Sequence, residues 1–190
     1  MWILYLGLVI LGILIGSTLC KVAQNNKSGE RIEIWTAIYV WVSYILYSLF
    51  VAYTAFRSYW LLLPDGILLK LIGILLIVVG SLISIAGVIE FRSLKRMSGV
   101  STEKLVTSGI YQWSRNPQNV GWGLVLIGIA LTGRSGVALM LASLFWLVIH
   151  FYIVNVEEKF LQKIFGDQYE SYCATTPRYL GFHKNKGCKG

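Results

Sequence analysis

Five apolar stretches between Trp2 and Val156 restrict this chain to one kind of architecture. They run from Trp2 to Leu19, from Ile34 to about Phe56, from Gly66 to Ile89, from Pro117 to about Thr132, and from Val137 to Val156. A helix rises ~1.5 Å per residue and a bilayer core is ~30 Å thick, so roughly 20 apolar residues make a crossing. Lipid offers no hydrogen bonds to the backbone, which leaves helices or a closed barrel as the only spanning structures. Continuous apolar runs of this length read as helices. Only 14% of the residues are charged, against ~25% in a soluble domain. The expectation is an all-α, polytopic membrane helical bundle of about five transmembrane helices.

The first run has neither a preceding positive charge nor a small-residue cleavage site, so it reads as a retained helix rather than a signal peptide. Lys21 to Glu33 then reads as a charged loop. Trp35 and the Tyr59-Trp60 pair flank the second run as interfacial anchors. Arg57 to Asp65 is a turn carrying Pro64, and Lys70 can snorkel from the start of the third run. Gly133-Arg134-Ser135-Gly136 is too short to be anything but a tight turn, so the fourth and fifth helices should form an antiparallel hairpin. Gly121, Gly123 and Gly128 on the fourth allow close approach of a helix or a ligand. Beyond Glu157-Glu158, Leu161, Ile164 and Phe165 recur at helical spacing, predicting an amphipathic extension outside the membrane. The chain therefore reads as one membrane domain in three parts: three spans in 1–89, a polar-motif half in 90–180, and a basic tail in 181–190.

Charge sets the expected orientation. With five spans, 14 of the 17 basic residues fall on the side of the C-terminus, and only Arg57, Lys70 and Arg134 on the other. The positive-inside rule then places the N-terminus outside and the C-terminus in the cytoplasm. The net charge of +8 is thus a membrane-facing rim rather than a nucleic-acid footprint. Cys20, Cys173 and Cys188 are too scattered for a zinc site or a disulfide framework. No metal is expected.

The polar stretch from Lys104 to Trp122 is where chemistry concentrates. Asn116-Pro117 is a good helix start, with asparagine as N-cap and proline at the first position. A helix start beside Arg115 is a ready anion site. The hairpin should bring Glu157 and Glu158 to the same interface. Two acids at a helix exit oppose the helix dipole, so Arg115, Arg178 or a cationic ligand has to compensate them. His150 lies seven residues before Glu157, on roughly the same face and about 10 Å away along the axis, and an ionisable group inside a span is a functional candidate.

Leu105-Val-Thr-Ser-Gly-Ile-Tyr111, followed by Arg115-Asn-Pro-Gln118 and Gly121, resembles the signature of the isoprenylcysteine carboxyl methyltransferase-like family, the group of integral membrane methyltransferases that includes the phospholipid methyltransferases. Glu157-Glu158, then Phe165-Gly166-Asp-Gln-Tyr169-Glu-Ser-Tyr172 and Thr176-Pro177-Arg178, supply the second half of that pattern. The resemblance covers about Glu90 to Leu180. It implies S-adenosylmethionine as cofactor and a lipid or lipophilic methyl acceptor, with a cytosolic helical extension capping the site. It further implies cofactor contacts at Gly109, Tyr111, Arg115, Asn116, Pro117, Gly121, His150, Glu157, Glu158, Tyr169 and Tyr172, with Arg115, Asn116 and Glu158 at the reacting centre. Asn116 stands where the family has histidine, and Asn119 where it has tyrosine, so a proton-taking role for that histidine is absent here. Two other readings are kept open: a sterol-reductase-like NADPH-dependent reductase, and a non-catalytic scaffold with the same fold.

Overall fold

The computed structural model describes residues 2–28, 34–91 and 105–181. Five long helices carry the apolar runs: α1 (Trp2–Ser28), α2 (Ile34–Phe56), α3 (Ile67–Phe91), α4 (Pro117–Thr132) and α5 (Gly136–Tyr152). A 3₁₀ turn, Gly109–Gln112, precedes α4. A π turn, Ile153–Glu157, leads from α5 into α6 (Glu158–Phe165), and α7 (Asp167–Thr175) follows. The described residues contain no β-strand, as expected of an all-α bundle. Three helical segments are long and apolar enough to cross a membrane, namely Ile38–Phe56, Ile67–Glu90 and Gly136–Phe165, while Leu4–Thr18 and Pro117–Thr132 are shorter apolar helices.

Two sequence expectations change. The stretch after Leu19 was expected to loop out from Lys21, but helix continues to Ser28. No glycine or proline lies between Leu19 and Gly29, so nothing in that stretch stops the helix. The π turn was not foreseen either. Only its neighbourhood, the change from apolar to charged residues at Glu157, was visible. Gly29–Glu33, Arg92–Lys104 and the basic tail from Phe182 onward lie outside the described residues, and with them eight of the basic residues that set the expected orientation.

The tightest packing joins α3 to α4. Gly73, Gly80 and Gly87 recur every seven residues on α3, a spacing that keeps small residues on one stripe. They meet Gly128, Gly121 and Gln118 of α4 in antiparallel order. A methyl group at Gly80 would lie 2.5 Å from the Gly121 carbonyl oxygen, and one at Gly128 would lie 2.5 Å from that of Gly73. The two backbones touch. On the other side of α4, the buried core joins α2 and α5 through Val51, Ala55, Leu126, Ala130, Ala142 and Phe145. α1 rests on α2, tied by Ser17 Oγ to Tyr39 Oη at 2.6 Å and Thr18 Oγ1 to Ser43 Oγ at 3.1 Å.

At the hairpin end of the bundle, two turns are laced together. Ser135 accepts the Ala138 N–H at 3.2 Å as the N-cap of α5, and its hydroxyl donates to the Tyr59 carbonyl at 2.8 Å. The Gly136 N–H donates to Trp60 O at 2.8 Å, and Arg134 binds Leu63 O and Asp65. The tight α4–α5 turn is as the sequence predicts. With the hairpin pinned there, its opposite end holds the start of α4 against the exit of α5.

Candidate active site

That opposite end is built from four pieces of chain: the 3₁₀ turn, the start of α4, the α5–α6 junction, and α7 with the strap that follows it. Its centre is one carboxylate. Glu158 takes Arg178 as a bidentate partner, Nε to Oε1 and Nη2 to Oε2 both at 2.8 Å, and Arg115 through Nη1 at 3.0 Å. Planar guanidinium forks suit this geometry, and charge assistance makes such bonds about twice as strong as neutral ones. Both arginines answer the sequence-level demand for a compensating cation, but they answer it for Glu158. Glu157 has no hydrogen bond or ion pair among the described residues.

Arg115 is held in place from several sides. Its N–H donates to Pro177 O at 2.9 Å, and Nη1 also reaches Cys173 Sγ at 2.6 Å and Tyr169 Oη at 3.4 Å. Tyr169 and Cys173 are four apart on α7 and therefore share a face. Tyr172 Oη donates to Tyr111 O at 2.6 Å, and Gln118 Nε2 donates to Tyr111 Oη at 2.8 Å. Tyr111, Tyr169 and Tyr172 form a buried cluster that α6 covers with Leu161 and Phe165. Burial pushes all three hydroxyls well above the usual tyrosine range, with the charge of Glu157 adding to the effect at Tyr111. They stay neutral, Tyr172 donating while Tyr111 and Tyr169 accept from Gln118 and Arg115. The hydrogen bonds to Glu158 likewise raise Arg178 above its ordinary value.

Asn116 does something other than expected. It occupies the N-cap position of α4, yet its side chain makes no capping hydrogen bond. Ser114 Oγ accepts the Asn116 N–H at 3.1 Å instead, and Asn116 Nδ2 donates to Arg178 O at 3.1 Å. The side chain turns away from the helix because the strap carbonyl competes for it. The first N–H groups of α4 thus keep no asparagine oxygen over them, and such groups have no acceptor within their own helix. Asn116→Ala is expected to cost about 1 kcal/mol, the net worth of a hydrogen bond. The expected signature is faster amide exchange confined to the strap around residues 176–180, and unchanged protection there would exclude a tethering role.

The remaining sequence candidates separate. Arg115, Asn116, Pro117, Glu158, Tyr111, Tyr169 and Tyr172 converge. Gly109 sits against Glu90 of α3 with φ +58°, a left-handed conformation that suits glycine, and a Cβ there would be 2.5 Å from Glu90 Oε2. Gly121 lies in the α3–α4 contact, against Gly80 and Ser84. His150 is exposed on α5, where Nδ1 meets Tyr179 Oη at 3.0 Å. Lys104, at the head of the polar stretch, lies outside the described residues. Sequence reasoning missed Cys173 and Gln118, although the four-residue spacing from Tyr169 pointed to the former.

A ligand held here would meet two guanidiniums and a helix start on one side and a carboxylate on the other. Those are complementary partners for a zwitterion. A family model described as phospholipid methyltransferase matches residues 68–168, from the start of α3 to the start of α7. The match takes in more than half of the chain, and the chain belongs to the phospholipid methyltransferase family. No curated protein and no solved structure matches the chain.

Proposed function

We propose that this chain is an S-adenosylmethionine-dependent methyltransferase whose acceptor is a lipophilic molecule reached from the bilayer. The observation that carries this reading is the Arg115–Glu158–Arg178 knot at the mouth of α4, of which Arg115 and Glu158 lie inside the family match. Its donor set fits an aminoacyl group: Arg115 and the α4 start for the carboxylate, Glu158 for the ammonium or ribose hydroxyls. When bound, the cofactor supplies an electrophilic methyl group on a sulfonium.

Everything else is positioning by the chain itself. Glu158 is already saturated by two guanidiniums, so receiving a ligand cation requires Arg178, the more exposed of the two, to yield. The Arg178 side chain then swings away while Asn116 keeps the Arg178 carbonyl tethered. Tyr169 and Tyr172 wall the site with neutral rings, whose faces favour a cation. Methyl transfer is an in-line displacement, so alignment and water exclusion matter more than an acid. Asparagine at 116 is compatible with that chemistry. The charge distribution supports placing this end of the bundle in the cytoplasm, with the N-terminus outside.

Calorimetry on purified protein tests the reading. S-adenosylmethionine or its demethylated product is expected to bind, and Arg115→Ala to weaken binding tenfold or more, about 1.4 kcal/mol. Folded wild-type protein that binds neither molecule would overturn it.

A further inference from the structure

Another carboxylate stands at this end of the bundle, outside the arginine knot. Glu90 is the penultimate residue of α3 and is half-buried. An acid at a helix C-terminus opposes the dipole, and no basic residue lies in the last turn of α3 to offset it. What Glu90 meets instead is the 3₁₀ turn. Ser108, the N-cap of that turn, makes no capping bond to it; its hydroxyl donates to Glu90 Oε1. Gly109 follows directly under the carboxylate, where a Cβ would lie 2.6 Å from Glu90 Cδ and 3.0 Å from Oε1. Only a residue without a side chain admits the carboxylate this closely, and the positive φ of Gly109 suits the same residue.

Both sides of this contact are stiff. Glu90 rides on α3, whose backbone touches α4, and Gly87 just before it packs on Gln118 and Pro117. The turn is closed by the Tyr111 N–H to Ser108 O at 3.1 Å. Ile110 O then accepts from Trp113 at 3.1 Å and from Ser114 at 3.3 Å. Arg115 comes next, so hydrogen-bonded backbone joins the Glu90 contact to the guanidinium that holds Glu158.

We propose that Glu90 is a positioning residue of the site: by receiving the Ser108 hydroxyl and seating Gly109, it fixes the turn that presents Arg115 to the ligand. This rests on the methyltransferase reading above. In this role Glu90 touches no ligand, and Gly109 is a seat for the carboxylate rather than a cofactor contact. The contact removes ordering that a ligand would otherwise have to impose, and so raises the fraction of molecules ready to bind. That has a kinetic signature. Lowering the competent fraction slows apparent association and leaves dissociation of the formed complex unchanged, whereas losing a direct contact acts mostly on dissociation.

Surface plasmon resonance of S-adenosylmethionine on the full chain in nanodiscs reads both rates. Glu90→Ala and Ser108→Ala are each expected to slow association about tenfold, with dissociation within about twofold of wild type. The double variant should be no slower than about threefold below either single one, because both remove the same bond. Glu90→Gln keeps an acceptor oxygen for Ser108 and is expected to restore association to within about threefold of wild type. Amide exchange in Glu90→Ala should quicken across residues 109–114 while α3 and α4 keep their protection. Faster dissociation at unchanged association would make Glu90 a ligand contact and overturn the assignment. Wild-type rates in Glu90→Ala, a Glu90→Gln variant as slow as Glu90→Ala, or protection lost throughout α3 and α4 would overturn it too. Wild-type protein that binds no cofactor would sink the methyltransferase reading, and exchange quickened only at 109–114 would still show Glu90 holding the turn.

Discussion

Replacing Glu158 by alanine is expected to lower stability by about 3 kcal/mol and to abolish cofactor binding. Removing one partner of a buried ion pair costs ~3–5 kcal/mol, because the other charge is left uncompensated. Here the side chains of Arg115 and Glu158 are only 9% and 16% exposed, while Arg178 at 34% can turn to water, which puts the figure at the low end. For a chain of this size, ~3 kcal/mol corresponds to roughly 6–12 °C in Tm. Glu158→Gln keeps the shape and one acceptor oxygen, and it should recover part of the stability but not the binding. The pairing itself is read from a double-mutant cycle. Glu158→Ala combined with Arg178→Ala should cost less than the sum of the two single changes, since the second removes a charge the first has orphaned. Strict additivity would show that the bidentate contact contributes nothing.

The sequence exposed this carboxylate without saying which acid it was. Two glutamates at a helix exit demanded a cation, and the arginines were there at 115 and 178. What assigned both to Glu158 was a π turn, which resets the rotation of the chain between Ile153 and Glu157. Such turns leave no compositional mark, being one extra residue in an otherwise regular run. His150 illustrates the same limit. Seven residues from Glu157 put it on the same helical face, but it pairs instead with Tyr179, from a strap 29 residues further along. Asn116 was legible as a helix start from its neighbour Pro117. Its side chain was not, because the preference for capping is local and the competing carbonyl of Arg178 is 62 residues away. The spans, the hairpin and the amphipathic α6 were all legible because each rests on spacing within one element. Contacts between distant elements were not.

The α3–α4 seam shows what spacing alone could have yielded, and it gives the second large effect. Gly80→Val is expected to separate the two helices and to leave little folded protein in detergent. A Cβ at Gly80 meets Gly121 O at 2.5 Å, Leu124 Cβ at 2.9 Å and Val125 N at 3.0 Å. Two of these are backbone atoms, so no rotamer change relieves them. Overpacking a core typically costs ~1–3 kcal/mol even where side chains can adjust. Here the helix axes themselves have to part, and α4 is the helix on which α3 chiefly rests. Gly80→Ala carries the same Cβ and should be destabilising too, although alanine is ~1 kcal/mol better than glycine within a helix. The control lies in α1. Nothing approaches a Cβ at Gly12 or Gly16 within 4 Å, so alanine there is expected to be neutral or stabilising by about 0.5–1 kcal/mol. Thermal unfolding of the four variants distinguishes packing from propensity. If Gly80→Ala and Gly12→Ala shift Tm in the same direction, close backbone contact is not what holds α3 in place. The site would feel a parting of these helices directly, because Gly87 packs on Gln118 and Pro117, the first residues of the helix start that Arg115 flanks.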